Sequence, residues 1–390
     1  MKIRVGVIFG GSSVEHEVSV ISALQAIDNI NYDKYDIVPI YISKNREWYT
    51  GNKLLNIDNY QNLEQLTKKL KRISLQKVDD EFVLIDIKNM FTKVVDKIDV
   101  AFPIVHGQNA EDGSLAGYLE TIGIPYVGCN VLGAALGQDK IVMKQVFKDS
   151  NIPIVDYLWF YDSEYLNDKE KYLKEIKKIG YPVVVKPASL GSSVGINFIK
   201  NEADIDNAIL EAINYDTKII VEKGIENLIE VNCSVVGDYD IQEASILEQV
   251  MSNNNILTYE DKYVGDGKTK GSSKGIVNTS RIIPAQLDKK TTEKVQKISK
   301  EVFKALNLAG VCRIDYLINS KTKEIFVNEP NTIPGSLAFY LWEPMGKKYS
   351  DLLDDVIKLG IKTYKMKSKK VTCFDTNILA NYKNGTGVKK

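Results

Sequence analysis

Four polar side chains in the last third of the chain have the types and spacing of a metal–phosphate site. The stretch CRIDYLINSKTKEIFVNEPN carries Arg313 and Asp315 on one predicted strand and Glu329 and Asn331 at the end of the next. Because side chains alternate across a strand, Arg313 and Asp315 lie on one face. Magnesium prefers hard oxygen ligands and often shares them with substrate phosphates. The stretch therefore predicts a magnesium site beside a cation, with a solvated hairpin as the alternative.

Two lysines and a glycine–serine turn form the predicted phosphate side. In YPVVVKPASLGSSVGI an apolar strand ends at Lys186, whose ammonium needs an anionic partner or a path to water. The following turn places Ser192 and Ser193 between glycines, which let backbone amides approach an anion closely. We expect a flap over phosphates here, although an ordinary hairpin turn has the same pattern. Lys140, which opens a helix in LGQDKIVMKQ, is a second candidate contact.

An acid and a long irregular segment complete the predicted nucleotide side. Glu222 ends the apolar strand of KIIVEKG, where it either accepts from a ribose hydroxyl or an adenine-side group or simply ends the strand. Residues 251–280 show little regular pattern and include TYEDKYVGDGKTKGSSKG. Long irregular loops in compact domains tend to be lids or disordered inserts. The dense aromatic and charged residues around Tyr263 favour a lid.

The predicted substrate side lies in the first part of the chain. FGGSSVEHEVSV lacks the GxGxxG spacing of a dinucleotide fingerprint, which disfavours nicotinamide binding. Glu15 and Glu17 instead stand at a helix start, where acids are favourable, and this leaves Glu15 available to hold a substrate amine. His106 follows a buried strand at the sheet edge where open α/β proteins place ligands, and a structural histidine is the equal alternative.

Alternating strand and helix patterns must position these residues. In the first part, strands are predicted over 3–9, 35–42 and 100–105 and helices over 18–30 and 114–122, a rhythm that indicates a parallel α/β sheet. A second unit has predicted helices over 140–149 and 168–178 and strands over 183–186 and 195–199. A third unit starts near residue 218 and has a helix over 289–306 with apolar side chains at helical spacing. We place a domain seam within residues 129–139.

Composition sets the class of protein. With 390 residues, 44% of them hydrophobic, the chain is long enough for two or three globular domains. Lys plus Arg equals Asp plus Glu at 51 each, so no broad field favours nucleic acid or an anionic membrane. The four cysteines form no CxxC pair, and no apolar run reaches about 18 residues. We expect reduced cysteines, a cytoplasmic protein, and neither secretion nor membrane insertion.

Seven motifs occur in an order that resembles one enzyme family. They are, in chain order, GGSSVEHEVS, HGQNAEDGSLAG, YVGCNVLGAALGQDK, VKPASLGSSVGI, YEDKY, CRIDY and NEPNTIPG. Over residues 1–360 or so the chain resembles the D-alanine:D-alanine ligases of the ATP-grasp superfamily. The resemblance implies an α/β and α+β ATP-grasp fold with an N-terminal Rossmann-like parallel-sheet domain over 1–130, a small central subdomain over 131–216 and a C-terminal mixed-sheet subdomain over 217–362. A polar extension over 363–390 follows.

The resemblance also implies roles for individual residues. Glu15 would bind the amino group of the first D-alanine within a hydrogen-bonded set that includes Ser192 and the lid residue Tyr263, with His106 near this substrate. Arg313 would hold the oxyanion of the tetrahedral intermediate. ATP would contact Lys140, Lys186, Ser193, Glu222, Glu230 and Lys262. Two magnesium or manganese ions would be held by Asp315, Glu329 and Asn331.

The implied reaction joins two D-alanines through an acyl phosphate, giving D-alanyl-D-alanine, ADP and phosphate for peptidoglycan synthesis. The resemblance also implies a homodimer formed through the first domain, with ATP and D-alanine as small-molecule substrates and no nucleic-acid or membrane partner.

Two departures from the family pattern stand out. Ala110 replaces a usual glycine, and the segment SLAFYLWE after Gly335 is shorter than its usual counterpart. The second departure leaves acceptor contacts assigned only to Gly335, Ser336 and Leu337. A ligase with D-serine or D-lactate as acceptor therefore stays open as an alternative. A non-catalytic nucleotide-binding regulator is a separate alternative, which the intact charged residues disfavour, and the missing GxGxxG spacing makes an oxidoreductase remote.

Overall fold

The computed structural model describes residues 2–88, 93–191, 194–251 and 280–374. Its strands are β1 (Ile3–Gly10), β2 (Tyr35–Ile42), β3 (Trp48–Thr50), β4 (Lys71–Val78), β5 (Glu81–Asp86), β6 (Lys93–Ile98), β7 (Val100–Ile104), β8 (Tyr157–Tyr161), β9 (Val183–Pro187), β10 (Asn197–Ile199), β11 (Lys218–Lys223), β12 (Leu228–Gly237), β13 (Gln242–Met251), β14 (Ser280–Ile282), β15 (Gly310–Asn319) and β16 (Ile325–Asn331).

The α-helices of the described residues are α1 (His16–Asn29), α2 (Leu63–Lys68), α3 (Ser114–Ile122), α4 (Val131–Gln138), α5 (Lys140–Asp149), α6 (Asp162–Asn167), α7 (Lys169–Ile179), α8 (Ile205–Ile213), α9 (Lys289–Ala305) and α10 (Tyr349–Lys367). Short 3-10 turns lie at Asn52–Leu55, Ile57–Gln61, Glu202–Asp204, Gly335–Leu341 and Glu343–Met345.

The first sheet is mixed rather than parallel throughout. Its strand order is β6-β5-β4-β3-β2-β1-β7, and β1 runs parallel to both β2 and β7, as the sequence predicts. The other four strands pair antiparallel. A tight turn over residues 43–47 joins β2 to β3, with the Ser43 N–H donating to the Glu47 carbonyl at 2.9 Å. Such a turn permits only an antiparallel pair, because parallel neighbours need a long crossover.

The central sheet has the order β10-β9-β11-β8 and is antiparallel. Helices α7 and α8 cover one face, where buried side chains such as Ile176 and Ile209 meet Val183 and Val221. Strand β11, expected to open the third unit, pairs with β8 and β9 and therefore belongs to this sheet. The segment expected as a domain seam forms helix α4, capped by Asn130, whose side chain accepts from the Gly133 N–H at 2.8 Å.

The third sheet has the order β14-β13-β12-β15-β16 and is antiparallel. Helix α9 packs beneath it through Val295, Ile298 and Val302, the apolar positions that the sequence spaces at helical intervals. The opposite face of this sheet is polar and borders a cavity shared with α1, the loop after β7 and the start of α5. Within the described ranges, no helix combines the length and apolar character needed to cross a bilayer.

Candidate active site

One face of the five-stranded sheet carries a row of polar side chains. Glu248 pairs with Asn232, Asn232 with Asp315, and Asp315 with Glu329 across four adjacent strands. Residues directly opposite each other in antiparallel strands point to the same face, so the four side chains form one line across the sheet. All four line a single cavity. The expectation that Asp315 and Glu329 meet is confirmed by the strand register.

Arg313 lies beside this row and binds its acid Asp315. Its Nε and Nη2 atoms donate to the two oxygens of Asp315 at 2.7 and 2.8 Å, the two-pronged geometry that an arginine fork permits. Asn331, which lies opposite Arg313, donates from Nδ2 to Asp315 Oδ2 at 3.0 Å. Burial disfavours the charged guanidinium, but the Asp315 carboxylate outweighs burial and raises the pKa of Arg313 well above its ordinary value. The predicted oxyanion donor and two predicted metal ligands therefore form one hydrogen-bonded cluster.

Lys140 approaches the end of the row from the helix that it opens. Asp139 caps α5 by accepting from two backbone N–H groups of the first turn, at 2.9 and 3.1 Å. From this fixed turn, Lys140 Nζ reaches Glu329 Oε2 at 3.1 Å and donates to the Leu190 carbonyl at 2.7 Å. Lys140 thus links a predicted metal ligand to the start of the glycine–serine turn.

Lys186 contacts the same strand end through a residue at a β-bulge. Strand β16 has one residue more than β15 between the Glu329–Asp315 and Val327–Tyr316 pairs, and that residue is Asn328. Asn328 Oδ1 accepts from Lys186 Nζ at 3.1 Å. The anionic partner that the sequence requires for Lys186 is Glu222, whose Oε2 accepts from the same Nζ at 2.7 Å.

Glu222 is shared between two lysines. Its second oxygen, Oε1, lies 3.2 Å from Lys144 Nζ, and the two side chains are 2% and 0% exposed. Burial alone raises the pKa of Glu222, but Lys144 and Lys186 outweigh it and lower that pKa to about 2. Glu222 lines a second cavity together with Glu230. Its carboxylate therefore orients two lysines at the predicted nucleotide side, and a direct contact from this side chain to ATP stays a prediction.

The predicted substrate side faces the same cavity from the first domain. Glu15 is the N-cap residue of α1 and lines the cavity together with Arg313. Gly107 has a φ of +82°, and a Cβ atom there would lie 2.9 Å from Glu15 Oε2, so the loop after β7 passes directly against this carboxylate. Ser13 Oγ donates to the His106 carbonyl at 2.7 Å and ties the two loops together.

His106 is buried and joins the first domain to the segment after Gly335. Its Nε2 lies 3.0 Å from Ser22 Oγ, and the Ser336 N–H donates to the same hydroxyl at 3.0 Å. Burial lowers the pKa of His106, although the Glu15 carboxylate opposes this effect. His106 also lines the cavity, so it is a structural histidine that borders the predicted substrate site.

The short segment after Gly335 has an unusual backbone. Ser336, Leu337 and Ala338 all have φ near +51°, in the left-handed region that costs a non-glycine residue about 1–2 kcal/mol. Ser336 Oγ donates to Gln25 Oε1 at 2.6 Å, which pins this turn to α1. Gly335 lines the cavity as predicted, whereas Leu337 is 2% exposed and packs in the core of the first domain. The turn directs the Leu337 side chain inward, so any contact from this residue to an acceptor would come from its backbone, and that contact stays a prediction.

Glu111 is a site residue that the sequence reasoning missed. It belongs to the quoted HGQNAEDG motif, its Oε2 accepts from the Gly107 N–H at 2.9 Å, and it lines the cavity together with Glu15. Burial, reinforced by the negative charge of Glu15, raises the pKa of Glu111 to about 8. Glu111 is therefore mostly protonated at neutral pH, and it adds no full negative charge to the cavity.

Three further charged residues were missed, each with a signal in the sequence. Lys144 follows Lys140 by four residues, which puts both on one face of α5. Glu248 is an acid that directly follows the apolar pair Ile246 and Leu247 in β13, and it is 1% exposed. Arg281 stands directly after the predicted lid segment and lines the cavity.

The donor set fits magnesium or manganese. Asp315, Glu329 and Asn331 supply two carboxylates and an amide oxygen, which are the hard ligands such ions bind, and magnesium commonly completes its octahedron with water and phosphate oxygens. In the described ranges, no group of three or more His, Cys, Asp and Glu side chains is arranged to hold a metal alone. These residues therefore suit an ion that arrives with a nucleotide rather than an all-protein cage.

Four of the predicted site residues lie outside the described ranges: Ser192, Ser193, Lys262 and Tyr263. The expected lid also falls there, except for its two ends at Met251 and Ser280, which close β13 and open β14. The cysteines are free, as expected, with Cys129, Cys233 and Cys312 buried and Cys373 exposed.

Comparison with known proteins gives consistent matches along the chain. Residues 4–129 match the family model described as D-ala D-ala ligase N-terminus, and residues 146–358 match the one described as D-ala D-ala ligase C-terminus. The D-alanine--D-alanine ligase of Thermosipho melanesiensis is 38% identical over 379 residues, which are 97% of this chain and 98% of that protein.

Solved structures match over similar lengths. The D-alanine-D-alanine ligase of Coxiella burnetii has a TM-score of 0.77 at 26% identity and covers 94% of this chain and 96% of its own. The VanG D-Ala:D-Ser ligase of Enterococcus faecalis has a TM-score of 0.77 at 30% identity and covers 92% of this chain and 100% of its own. These structures confirm the predicted fold class.

Proposed function

Since the chain belongs to the D-alanine–D-alanine ligase family, we propose that it joins two D-alanines with ATP to give D-alanyl-D-alanine, ADP and phosphate for peptidoglycan synthesis. A carboxylate is a poor electrophile, so the first D-alanine must be activated by phosphoryl transfer before the amine of the second can displace phosphate. The groups that these two steps need are those that surround the cavity.

Phosphoryl transfer depends on positioning and on neutralising charge. Lys140 contacts Glu329, the last residue of the polar row, and Lys186 contacts the neighbouring Asn328. Both lysines supply positive charge for the phosphates. Asp315, Glu329 and Asn331 would hold two Mg²⁺ or Mn²⁺ ions, which supply Lewis-acid stabilisation of phosphate charge when bound. Glu230, which lines the second cavity, would accept a hydrogen bond from the ribose.

The ligation step depends on orienting the two amino acids. Glu15 binds the ammonium of the first D-alanine by charge complementarity, with Gly107 and His106 packed beside it. Arg313 and the Gly335 N–H stabilise the oxyanion that forms when the second amine attacks. Ser192 and Tyr263 complete the donor side, while Ser193 and Lys262 contact ATP, as the family resemblance implies.

The observation that carries this proposal is the meeting of two kinds of group at one cavity. Arg313, Asp315, Glu329 and Lys140, from the third sheet and α5, line the same space as Glu15 from the first domain. A site for nucleotide phosphates alone has no need of the Glu15 carboxylate, whereas a substrate amine does. We further propose that the protein is cytoplasmic and forms a homodimer through the first domain, without a nucleic-acid partner. The boundaries of its domains would lie near residues 130 and 362.

The test is to incubate the purified chain with ATP, Mg²⁺ and D-alanine and to measure ADP and dipeptide by chromatography. We expect ADP and D-alanyl-D-alanine in equal amounts. D-Serine and D-lactate should then be tested as acceptors alongside D-alanine. If either reacts faster than D-alanine, that compound is the preferred acceptor. Binding of ATP without ADP formation from any pair of D-amino acids would instead support a regulator.

A further inference from the structure

The cavity holds an arginine that the proposed roles do not use. Its cations among the described residues are Lys140, Arg281 and Arg313. Only five of the 51 lysine and arginine residues of the chain are arginines, and two of these five line this one cavity. Arginine differs from lysine in presenting a rigid planar fork that binds a carboxylate with two parallel hydrogen bonds. The concentration of arginines here therefore points to recognition of a carboxylate or a similar planar anion.

Arg281 is held in place by two neighbours. Its guanidinium carbon lies 4.9 Å from the ring centroid of Tyr340, a cation–π contact. Its Nη1 lies 3.6 Å from Glu248 Oε2, and Tyr340 Oη donates to Glu248 Oε1 at 3.2 Å. Tyr340 and Glu248 thus hold the Arg281 guanidinium, a five-donor cation, at the border of the cavity.

The position of Arg281 separates it from the phosphate side. Glu248 stands at one end of the polar row and Glu329 at the other, with two strands between them. Neighbouring strands lie about 4.8 Å apart, so these ends are about 14 Å apart. Lys140 binds the Glu329 end, Arg281 binds the Glu248 end, and Arg313 lies between them on Asp315. The cavity therefore has a phosphate end, a central oxyanion position and a third cation beyond it.

Tyr340 also ties Arg281 to the segment after Gly335. This tyrosine lies in the same 3-10 turn, Gly335–Leu341, whose first residue lines the cavity. An acceptor whose amine attacks the acyl carbon of the activated donor from this side places its own carboxylate beyond Arg313. A buried negative charge at that position is costly unless it is paired.

We propose that Arg281, held by a cation–π contact with Tyr340 and an ion pair with Glu248, receives the carboxylate of the acceptor amino acid. This inference rests on the proposed ligase function and adds the residue that makes an α-carboxylate a requirement for the acceptor. Arg281 does not distinguish D-alanine from D-serine or D-lactate, because all three carry that carboxylate. It distinguishes them from acceptors in which the carboxylate is absent.

D-Alaninamide is the probe that tests this role. It has the acceptor amine but no carboxylate, so it cannot be activated by ATP and enters the reaction only as an acceptor. With D-alanine fixed as the donor, the kcat/KM of each acceptor is measured for the wild type and for Arg281→Met from the dipeptide or dipeptide amide formed. We expect Arg281→Met to lower kcat/KM for D-alanine as acceptor by roughly 10- to 100-fold, the loss of a charge-assisted hydrogen bond. For D-alaninamide we expect little change.

Two further variants and a control sharpen the result. Arg281→Lys keeps the charge but not the fork, so it should recover part of the D-alanine rate. Tyr340→Leu removes the aromatic ring that contacts Arg281 and should reproduce the selective loss even if Arg281→Met folds poorly. Arg72→Met is the matched control, since Arg72 pairs with Glu47 at 2.7 Å in the first sheet, away from the cavity. Arg72→Met should change neither rate.

Each outcome has a definite meaning. A fall in both acceptor rates by the same factor in Arg281→Met and Tyr340→Leu would show a purely structural role and overturn the proposal. Unchanged rates for both acceptors would overturn it as well. If the wild type ligates D-alanine but the variants show no selective loss of the D-alanine rate, the ligase function is retained and only the role of Arg281 is overturned. A wild type that forms no dipeptide removes the function and with it this inference.

Discussion

Replacing Glu222 by glutamine should destabilise the chain by leaving two buried lysines without their acid. The Glu222 and Lys144 side chains are 2% and 0% exposed, so no solvent replaces the lost charge. The pKa of Glu222 is lowered from 4.5 to about 2 by the two lysines. A shift of that size corresponds to about 3 kcal/mol at neutral pH, which agrees with the cost of about 3–5 kcal/mol for breaking a buried ion pair.

Thermal melting measures this loss. For a chain of 390 residues that melts as one unit, with about 2.1 cal/mol/K of unfolding entropy per residue, a loss of 3 kcal/mol lowers Tm by about 4 °C. Because the folded pKa is depressed, the contribution is present above the unfolded value of 4.5 and disappears as the pH falls towards 2. The difference in Tm between wild type and Glu222→Gln should therefore persist at pH 7 and shrink in acid.

Two comparisons guard this interpretation. The double variant Lys144→Met, Glu222→Gln removes a cation together with the acid and should recover part of the Tm, because the penalty comes from uncompensated charge. Glu64→Gln breaks the Glu64–Lys68 pair, whose side chains are 79% and 70% exposed, and should leave Tm unchanged. A Tm of Glu222→Gln within roughly 1 °C of the wild type at pH 7 would refute the reasoning.

Three further predictions concern the site. Arg313→Ala should lower turnover at saturating substrates by about 10²–10³-fold, as expected for loss of an oxyanion donor, and near-normal turnover would remove that role. Asp315→Asn should raise the Mg²⁺ concentration needed for half-maximal rate by roughly 10- to 100-fold, measured by titrating Mg²⁺ after chelation; an unchanged titration would exclude Asp315 as a ligand. Gly107→Ala places a Cβ 2.9 Å from Glu15 Oε2 at a φ of +82° and should raise the KM for the donor D-alanine; an unaltered KM would contradict the placement of Glu15.

Within the third sheet, the hairpin of β15 and β16 could be predicted in detail because its signals are local. Alternation put Arg313 and Asp315 on one face, and the polar turn before Glu324 predicted the antiparallel partner that brings Glu329 beside them. The helix over 289–306 also matched α9 within one residue, since its apolar positions are regularly spaced. Lys186 was predicted to need an anion because it ends a run of valines, and the anion is Glu222.

The parts that could not be predicted depend on contacts between distant segments. The antiparallel strands β3 to β6 were missed because residues 43–98 were not assigned to strands at all. Glu111 and Glu248 gain their roles from partners far along the chain, which periodicity does not reveal. The left-handed turn at Ser336 was equally hidden, because non-glycine residues give no warning of a positive φ.

The line of side chains from Glu248 to Glu329 makes activity dependent on strand register. Sliding β12 by a single position would keep the ladder of backbone hydrogen bonds but send Asn232 to the α9 face, and the same slip of β15 would send Arg313 and Asp315 there. Such a molecule would have normal secondary structure by circular dichroism and no working centre. Specific activity in a refolded preparation therefore reports the fraction of molecules with the correct strand register. Low specific activity together with a native-like spectrum would indicate slipped strands rather than unfolded chains.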